Sequence, residues 1–396
     1  MDAHRMALPD APCDAFGAFV ALAAGRPAAM GPLAGVRLAV KDNIAVQGLP
    51  YTAGLPLFQD RLGPADAAAV RTLQAAGAVV CGVARTDAGG FGVATPRVRN
   101  PAYPRHIAGG SSGGPAAAVA AGLADLGLGT DTGGSARIPA ACCGLYGFKP
   151  SHGAISTDGV WPLAPELDTV GLMARDLDLI RRAYAALAGR DADRGRAPRE
   201  LVIGVDAGRL AHTDRTVAAA FLRTVDAQRD RFKQVRLLHL PGRGIVQRIH
   251  AACVLLAARD IYCGIDRDFS DARYGPTAGA ALRAALLLDA AQARRAREDA
   301  AGIRQEWEQS MRDVDYVLTP TLAVPRPLAG SRHARLLGRQ IPLVHALTAE
   351  TALANLVGAP AISIPCGRSL AGLQLSGRAG CDGELIEAAA AFSAPR

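Results

Sequence analysis

The sequence predicts an α/β fold. Short apolar runs of four to six residues alternate with longer stretches of helical character, the pattern of strands joined by crossover helices. Half of the 396 residues are hydrophobic and a fifth are charged, which suits a globular chain with a sizeable core. Aromatic residues are few, while alanine and glycine are abundant, so that core is built from small and aliphatic side chains. The length exceeds a usual domain, so one large unit or two smaller ones are open.

In chain order, residues 13–25 (CDAFGAFVALAAG) read as a short amphipathic helix ending at Gly25. VRLAV (36–40) reads as a buried strand that delivers Lys41 at its C-terminal end, where chemistry usually sits in α/β folds. Residues 66–76 read as a helix stopped by Gly77, and AVVCGV (78–83) as the next strand, a βαβ unit. Pro115 opens a helix over 116–124, where a missing N–H costs little. Residues 126–130 read as a strand, 176–188 as a helix stopped by Gly189, and 189–199 as a polar surface loop. Strands follow at 201–206 and 235–240, with a helix between them over 214–229. Residues 279–308 read as one long helix. Residues 315–320, 361–365 and 370–377 read as strands, and 384–392 as the closing helix.

Two glycine-rich turns carry the chemistry. Gly109-Gly110-Ser111-Ser112-Gly113-Gly114 precedes the alanine-rich helix, and Gly129-Thr130-Asp131-Thr132-Gly133-Gly134-Ser135 follows it. Glycine lets a backbone approach a ligand closely, so two such turns bring two serine hydroxyls toward one pocket. Two loops in a small-residue core are the plain alternative, and a lone GGSSGG would mean no more. Phosphate binding is a second, but GxxxxGK[ST] is absent, as is GxGxxG between a strand and a helix. Acyl transfer is a third: Ser135 ends a run of backbone N–H groups of the kind an oxyanion needs. A serine nucleophile needs a base. His106 and His152 stand in no triad context, which turns attention to a lysine, as in Ser-Lys variants. Only Lys41, Lys149 and Lys233 are present. Lys149 reads as a structural surface lysine.

Val40-Lys41-Asp42-Asn43, the GGSSGG turn, and GTDTGGSARIPAACCGLYGFKP (129–150) occur in that order. Together they resemble the amidase signature family of serine hydrolases. The likeness continues through 151–176 and returns weakly at 355–367 and 370–377, about half of the chain. It implies a single α/β/α domain over 1–396, with a large central mixed β-sheet covered by helices. The signature core spans about 36–176, and the sheet is completed by about 315–396. It implies Ser135 as nucleophile, Ser111 in a cis peptide as relay, and Lys41 as base. Backbone N–H groups of Thr132, Gly133, Gly134 and Ser135 would hold the oxyanion. Asp131 and Arg137 would pair and brace the turn, although Arg137 is also open to a substrate carboxylate, and Ser112 would support its own turn. The family pattern Thr-Asn-x-x-Glu-Phe is Thr86-Asp87-Ala88-Gly89-Gly90-Phe91 here. That departure alters one pocket wall.

The implied activity is hydrolysis of a small-molecule carboxylic amide to the acid and ammonia. Residues 151–176 look most like members acting on small or aryl-acetic amides. A hydrolase of urea-like amides is one alternative. The amidase subunit of a transamidating complex is another, weakened by the short chain and the poor likeness beyond Asp176. A catalytically dead scaffold would not need Lys41, Ser111 and Ser135 together.

The net charge of +8 comes almost wholly from scattered arginines, a solvated surface rather than a nucleic-acid groove. Eight cysteines form no CxxC pair, and no histidine stands at zinc spacing, so neither a metal nor a cofactor is expected. Most of the cysteines sit in apolar surroundings, as reduced thiols in a cytosol do. No signal peptide or membrane span is read. Oligomeric state is not written in the sequence; a homodimer is the commonest default.

Overall fold

The computed structural model describes residues 14–24, 30–189, 195–366 and 370–392. Its strands are β1 (Phe19–Leu22), β2 (Arg37–Lys41), β3 (Val79–Ala84), β4 (Leu126–Asp131), β5 (Tyr146–Lys149), β6 (Thr169–Ala174) and β7 (Val202–Val205). They continue with β8 (Gln234–Leu237), β9 (Tyr316–Pro320), β10 (His333–Leu336), β11 (Arg339–Pro342), β12 (Ala361–Cys366) and β13 (Leu370–Ser376). Eleven of them form one mixed sheet in the order β1-β3-β2-β4-β6-β5-β12-β13-β9-β7-β8, while β10 and β11 make a separate hairpin. The α/β class expected from the sequence is thus the observed one. The helices are α1 (Ala68–Ala75), α2 (Gly113–Ala120), α3 (Arg137–Cys143), α4 (Leu177–Ala188), α5 (Ala207–Ala211) and α6 (Arg215–Gln228). After them come α7 (Arg243–Cys263), α8 (Asp271–Ala285), α9 (Ala290–Ser310), α10 (Leu343–Thr348), α11 (Ala352–Leu356) and α12 (Asp382–Ala389).

The sheet separates two apolar layers because strand side chains alternate. In β2, Leu38 and Val40 join the larger core, while Ala39 joins the alanine-rich core beneath α2. In β4, Leu126 and Leu128 face the larger core. Gly127 and Gly129 alternate with them, and α2 seats on that glycine face. A Cβ at Gly127 would stand 3.2 Å from Pro115, and one at Gly129 would stand 2.7 Å from the Ser112 hydroxyl. The alternation Leu-Gly-Leu-Gly therefore brings the GGSSGG turn down onto the sheet. Parallel pairing of β2 with β4, Val40 opposite Leu128, sends both strands out at the same edge. Lys41 and Thr130 emerge there together.

Several expectations need correction. Residues 13–25 are not a helix where described: β1 pairs antiparallel with the edge of β3. The Asp14 carboxylate accepts from the N–H groups of Ala18 and Phe19 at 2.9 and 2.8 Å, and Gly17 takes φ 66°. This turns the chain into the ladder. Cys13 and Gly25 lie outside the described residues, as does part of the 189–199 loop. The long helix over 279–308 is two helices. Asp289 and Gln292 form a reciprocal capping box that starts α9 afresh. Pro115 is the third residue of α2 rather than its first, still within the turn whose N–H groups have no helical partner. The strand expected over 235–240 ends at Leu237. Among the described residues no helix is long and apolar enough to cross a membrane.

Candidate active site

Lys41 leaves the end of β2 fully buried. Its Nζ lies 2.8 Å from Ser111 Oγ and 2.7 Å from Thr130 Oγ1. Thr130, the penultimate residue of β4, also accepts from Asn43 Nδ2 at 3.1 Å. Burial lowers the Lys41 ammonium to about 7, against the opposing pull of Asp168, Asp87, Asp131 and Asp42. Desolvation disfavours the charged form, so near neutral pH a large share of Lys41 carries a free lone pair.

The Gly110–Ser111 peptide is cis. The Ser111 carbonyl accepts from Thr95 Oγ1 at 3.0 Å, Thr86 Oγ1 at 3.1 Å and Asp87 N at 3.3 Å. Three donors on one carbonyl hold the residue that faces Lys41. Next in sequence, Ser112 ties the two glycine turns together. Its hydroxyl donates to the Thr130 carbonyl at 3.2 Å, and its N–H donates to the Ser135 carbonyl at 3.2 Å.

In the second turn the carbonyls all point into protein. Thr132 O accepts from His250 Nε2 at 2.8 Å, Gly133 O from Thr351 Oγ1 at 2.6 Å, and Gly134 O from Ile138 N at 2.7 Å. Since a carbonyl cannot donate, His250 carries its proton on Nε2. Gly134 takes φ 124°, and a Cβ there would stand 2.3 Å from Thr351 Oγ1. The Gly134 N–H donates to Asp131 Oδ1 at 2.9 Å. It is therefore committed to the brace and withdrawn from the oxyanion set expected from the sequence. Within the described residues, no hydrogen bond occupies the N–H groups of Thr132, Gly133 and Ser135. The same three residues line a common cavity.

Ser135, Thr132 and Gly133 form one wall of a cavity of about 700 Å³. Phe91, Val93, Ile138, Leu163, Val254 and Leu343 give it apolar sides. Its chemistry is that of a small organic ligand placed by a few polar groups.

The protein-family model described as Amidase matches residues 17–230 and 276–386. The chain belongs to the amidase family. It is 32% identical over 417 aligned positions to the glutamyl-tRNA(Gln) amidotransferase A subunit of Haloarcula marismortui, covering 92% of this chain and 96% of that one. It is 34% identical to the protein of the same name from Thermus thermophilus, covering 91% and 84%. A solved amidase structure superposes with a TM-score of 0.85 at 32% identity, covering 91% of this chain and 85% of the other. The amidase likeness therefore covers most of the chain, beyond the half that the motifs alone carried.

Among the candidate residues read from the sequence, Lys41 and Ser111 meet directly. Ser112 and Ser135 join through the backbone, and Asp131 meets Arg137. Arg137 is fully buried, and its donors all stay inside the protein. Nε and Nη2 bond the two oxygens of Asp131 at 3.0 and 2.8 Å. Nη2 also reaches Asn355 Oδ1 at 2.6 Å, and Nη1 reaches Thr351 O and Gln374 Oε1 at 3.0 and 2.7 Å. Five bonds exhaust a guanidinium, so Arg137 has nothing left for a substrate carboxylate. Burial alone would push Asp131 up, but Arg137, then Lys149 and Asn355, hold its carboxyl well below the usual range. Lys149 is a further correction: it is fully buried, not a surface residue. Its Nζ donates to Pro150 O at 2.7 Å, and burial, with Arg137 nearby, lowers it to about 7.

The sequence assigned no role to Thr130, His250, Thr351, Asn355 or Gln374. Thr130 stands in the second glycine turn, and Asn355 and Gln374 fall in stretches already marked by weak likeness, so their positions carried a signal. His250 lies in the interval that the Amidase model leaves unmatched. Arg137→Met is expected to lower the free energy of unfolding by about 3–5 kcal/mol, because it strands the Asp131 carboxylate in the core. Arg236→Gln, which breaks an exposed pair with Asp313, is expected to cost under about 1 kcal/mol. Urea unfolding of both variants measures the contrast. Equal midpoints would show that the Asp131–Arg137 pair braces nothing.

Proposed function

We propose that this protein hydrolyses a carboxylic amide to the acid and ammonia. Ser135 attacks the carbonyl, and the amides of Thr132, Gly133 and Ser135 receive the oxyanion. The Ser135 proton moves through Ser111 to Lys41 and back to the leaving nitrogen, and water then cleaves the acyl-enzyme. The observation that carries this reading is Lys41: fully buried, 2.8 Å from Ser111 Oγ, and lowered to about 7. An ordinary lysine is protonated at neutral pH and accepts nothing.

A second reading is favoured by the curated relatives: an amidase component that releases ammonia to a partner. A match covering 96% of the Haloarcula marismortui protein supports it. One experiment separates the two. The purified chain alone, given a panel of simple amides, is expected to release ammonia. The rate is expected to rise with pH through about 7, because neutral Lys41 is the active form and exists above its pKa. Ammonia release only after a partner protein is added would favour the second reading. A rate that falls as pH rises through 7 would remove Lys41 as the base.

A further inference from the structure

The wall beside Ser111 holds a group that hydrolysis of a simple amide does not use. Asp87 lines the same cavity as Ser135, is 3% exposed, and has no hydrogen-bond partner for Oδ2. The N–H groups of Gly92 and Ala88 face its carboxyl, and Lys41 acts on it from a distance. Lys41 is already engaged with Ser111 and Thr130, so among the described residues Asp87 has no paired cation. Burial accordingly raises its carboxyl to about 7. Leaving such a group unmatched is costly.

Space adjoins it. Gly90 takes φ 80°, and a Cβ there would stand 3.6 Å from Ser111 Oγ and 3.6 Å from Leu163. Without a side chain at 90, the volume next to the Ser111 hydroxyl stays open, with Asp87 in its wall. These are the two positions at which the sequence departs from Thr-Asn-x-x-Glu-Phe.

We propose that Asp87 and Gly90 form a subsite for a positively charged leaving amine, so that the substrate class includes N-substituted amides whose amine carries a second, protonated nitrogen. This rests on the amide-hydrolase reading, in which Ser111 delivers the proton to the leaving nitrogen. Whatever that nitrogen carries must then lie beside Ser111. In the step, the bond from Ser135 Oγ to the acyl carbon forms and the C–N bond breaks. The serine proton passes by Ser111 and Lys41 to the nitrogen, and the diamine departs. Water then converts the acyl ester to the acid and restores Ser135.

The test uses binding, so that it stands apart from turnover. N-acetylethylenediamine and the neutral, similarly sized N-propylacetamide are titrated into the Ser135→Ala protein by calorimetry. The cationic amide is expected to bind about tenfold tighter or more. In Ser135→Ala with Asp87→Asn the ratio is expected to fall to within about twofold. Equal affinities in the parent, a ratio that survives Asp87→Asn, or no measurable binding of the cationic amide overturns the subsite. The readout is a ratio within one protein, so a variant that folds poorly weakens both ligands without creating or erasing the preference. If wild type cleaves simple amides while the binding ratio is one, the subsite fails alone. If the ratio holds but no amide is cleaved, the hydrolase reading fails instead.

Discussion

Ser135→Ala is expected to leave the protein folded and to reduce amide turnover by on the order of 10⁴-fold or more. The side chain contributes only its hydroxyl at the cavity wall. The tethers of this turn run through backbone atoms: Ser135 O to Ser112 N, Gly134 N to Asp131, and Gly133 O to Thr351. None is lost with the hydroxyl, so the melting temperature should stay close to that of wild type. A serine-directed fluorophosphonate should label wild type at Ser135 and leave the variant unlabelled, as mass spectrometry of digested protein would show. A variant that still labels and still releases ammonia would move the nucleophile elsewhere.

What the sequence revealed of this site depends on how local each signal was. Lys41 was legible because a five-residue strand ends on it, and strand ends are where α/β folds place chemistry. Glycines crowd around Ser111, Ser112 and Ser135 and marked the two turns, but it was the likeness to the amidase signature that singled out Ser111 over Ser112. Thr130 stood in the second of these turns but drew no role, because a threonine at the end of a strand-like run looks like any β-branched residue. Its contact with Lys41 spans 89 positions. The brace around Asp131 was half legible. Arg137 is six residues away, but Asn355 and Gln374 come from the far end of the chain.

The fold divides in the same way. Helix α7 escaped notice because its buried residues serve different neighbours. Val246 and Ile249 join a core with Trp307 and Leu353, Leu256 packs with Ala293 and Ala296, and Tyr262 joins a third cluster with Tyr274. A helix buried on several sides shows no clean apolar stripe. Strand β1 was misread for a related reason. FVAL gains a partner only when the edge of β3, some sixty residues later, comes alongside.

Lys41→Ala is expected to lower amide turnover by about 10²–10⁴-fold, the usual worth of a positioned acid–base group. The variant keeps Ser135, Ser111 and the oxyanion amides but has no acceptor for the serine proton and no route for it to the leaving nitrogen. Lys41→Arg is expected to be nearly as poor. A guanidinium stays charged at any working pH and cannot act as a neutral base. Thr130 Oγ1 and Ser111 Oγ would still face a donor, so a loss in Lys41→Arg reports proton transfer rather than a missing contact. An ester of the same acid distinguishes the two halves of the lysine's task. Its alkoxide leaves with less protonation than an amine requires, so Lys41→Ala should harm ester cleavage less than amide cleavage. The ratio of ester to amide turnover should therefore rise in Lys41→Ala relative to wild type. Circular dichroism melts of both variants separate loss of chemistry from loss of fold. Wild-type amide turnover in Lys41→Arg would reduce Lys41 to a buried positive charge at a strand end, and the Ser-Ser-Lys mechanism would fall with it.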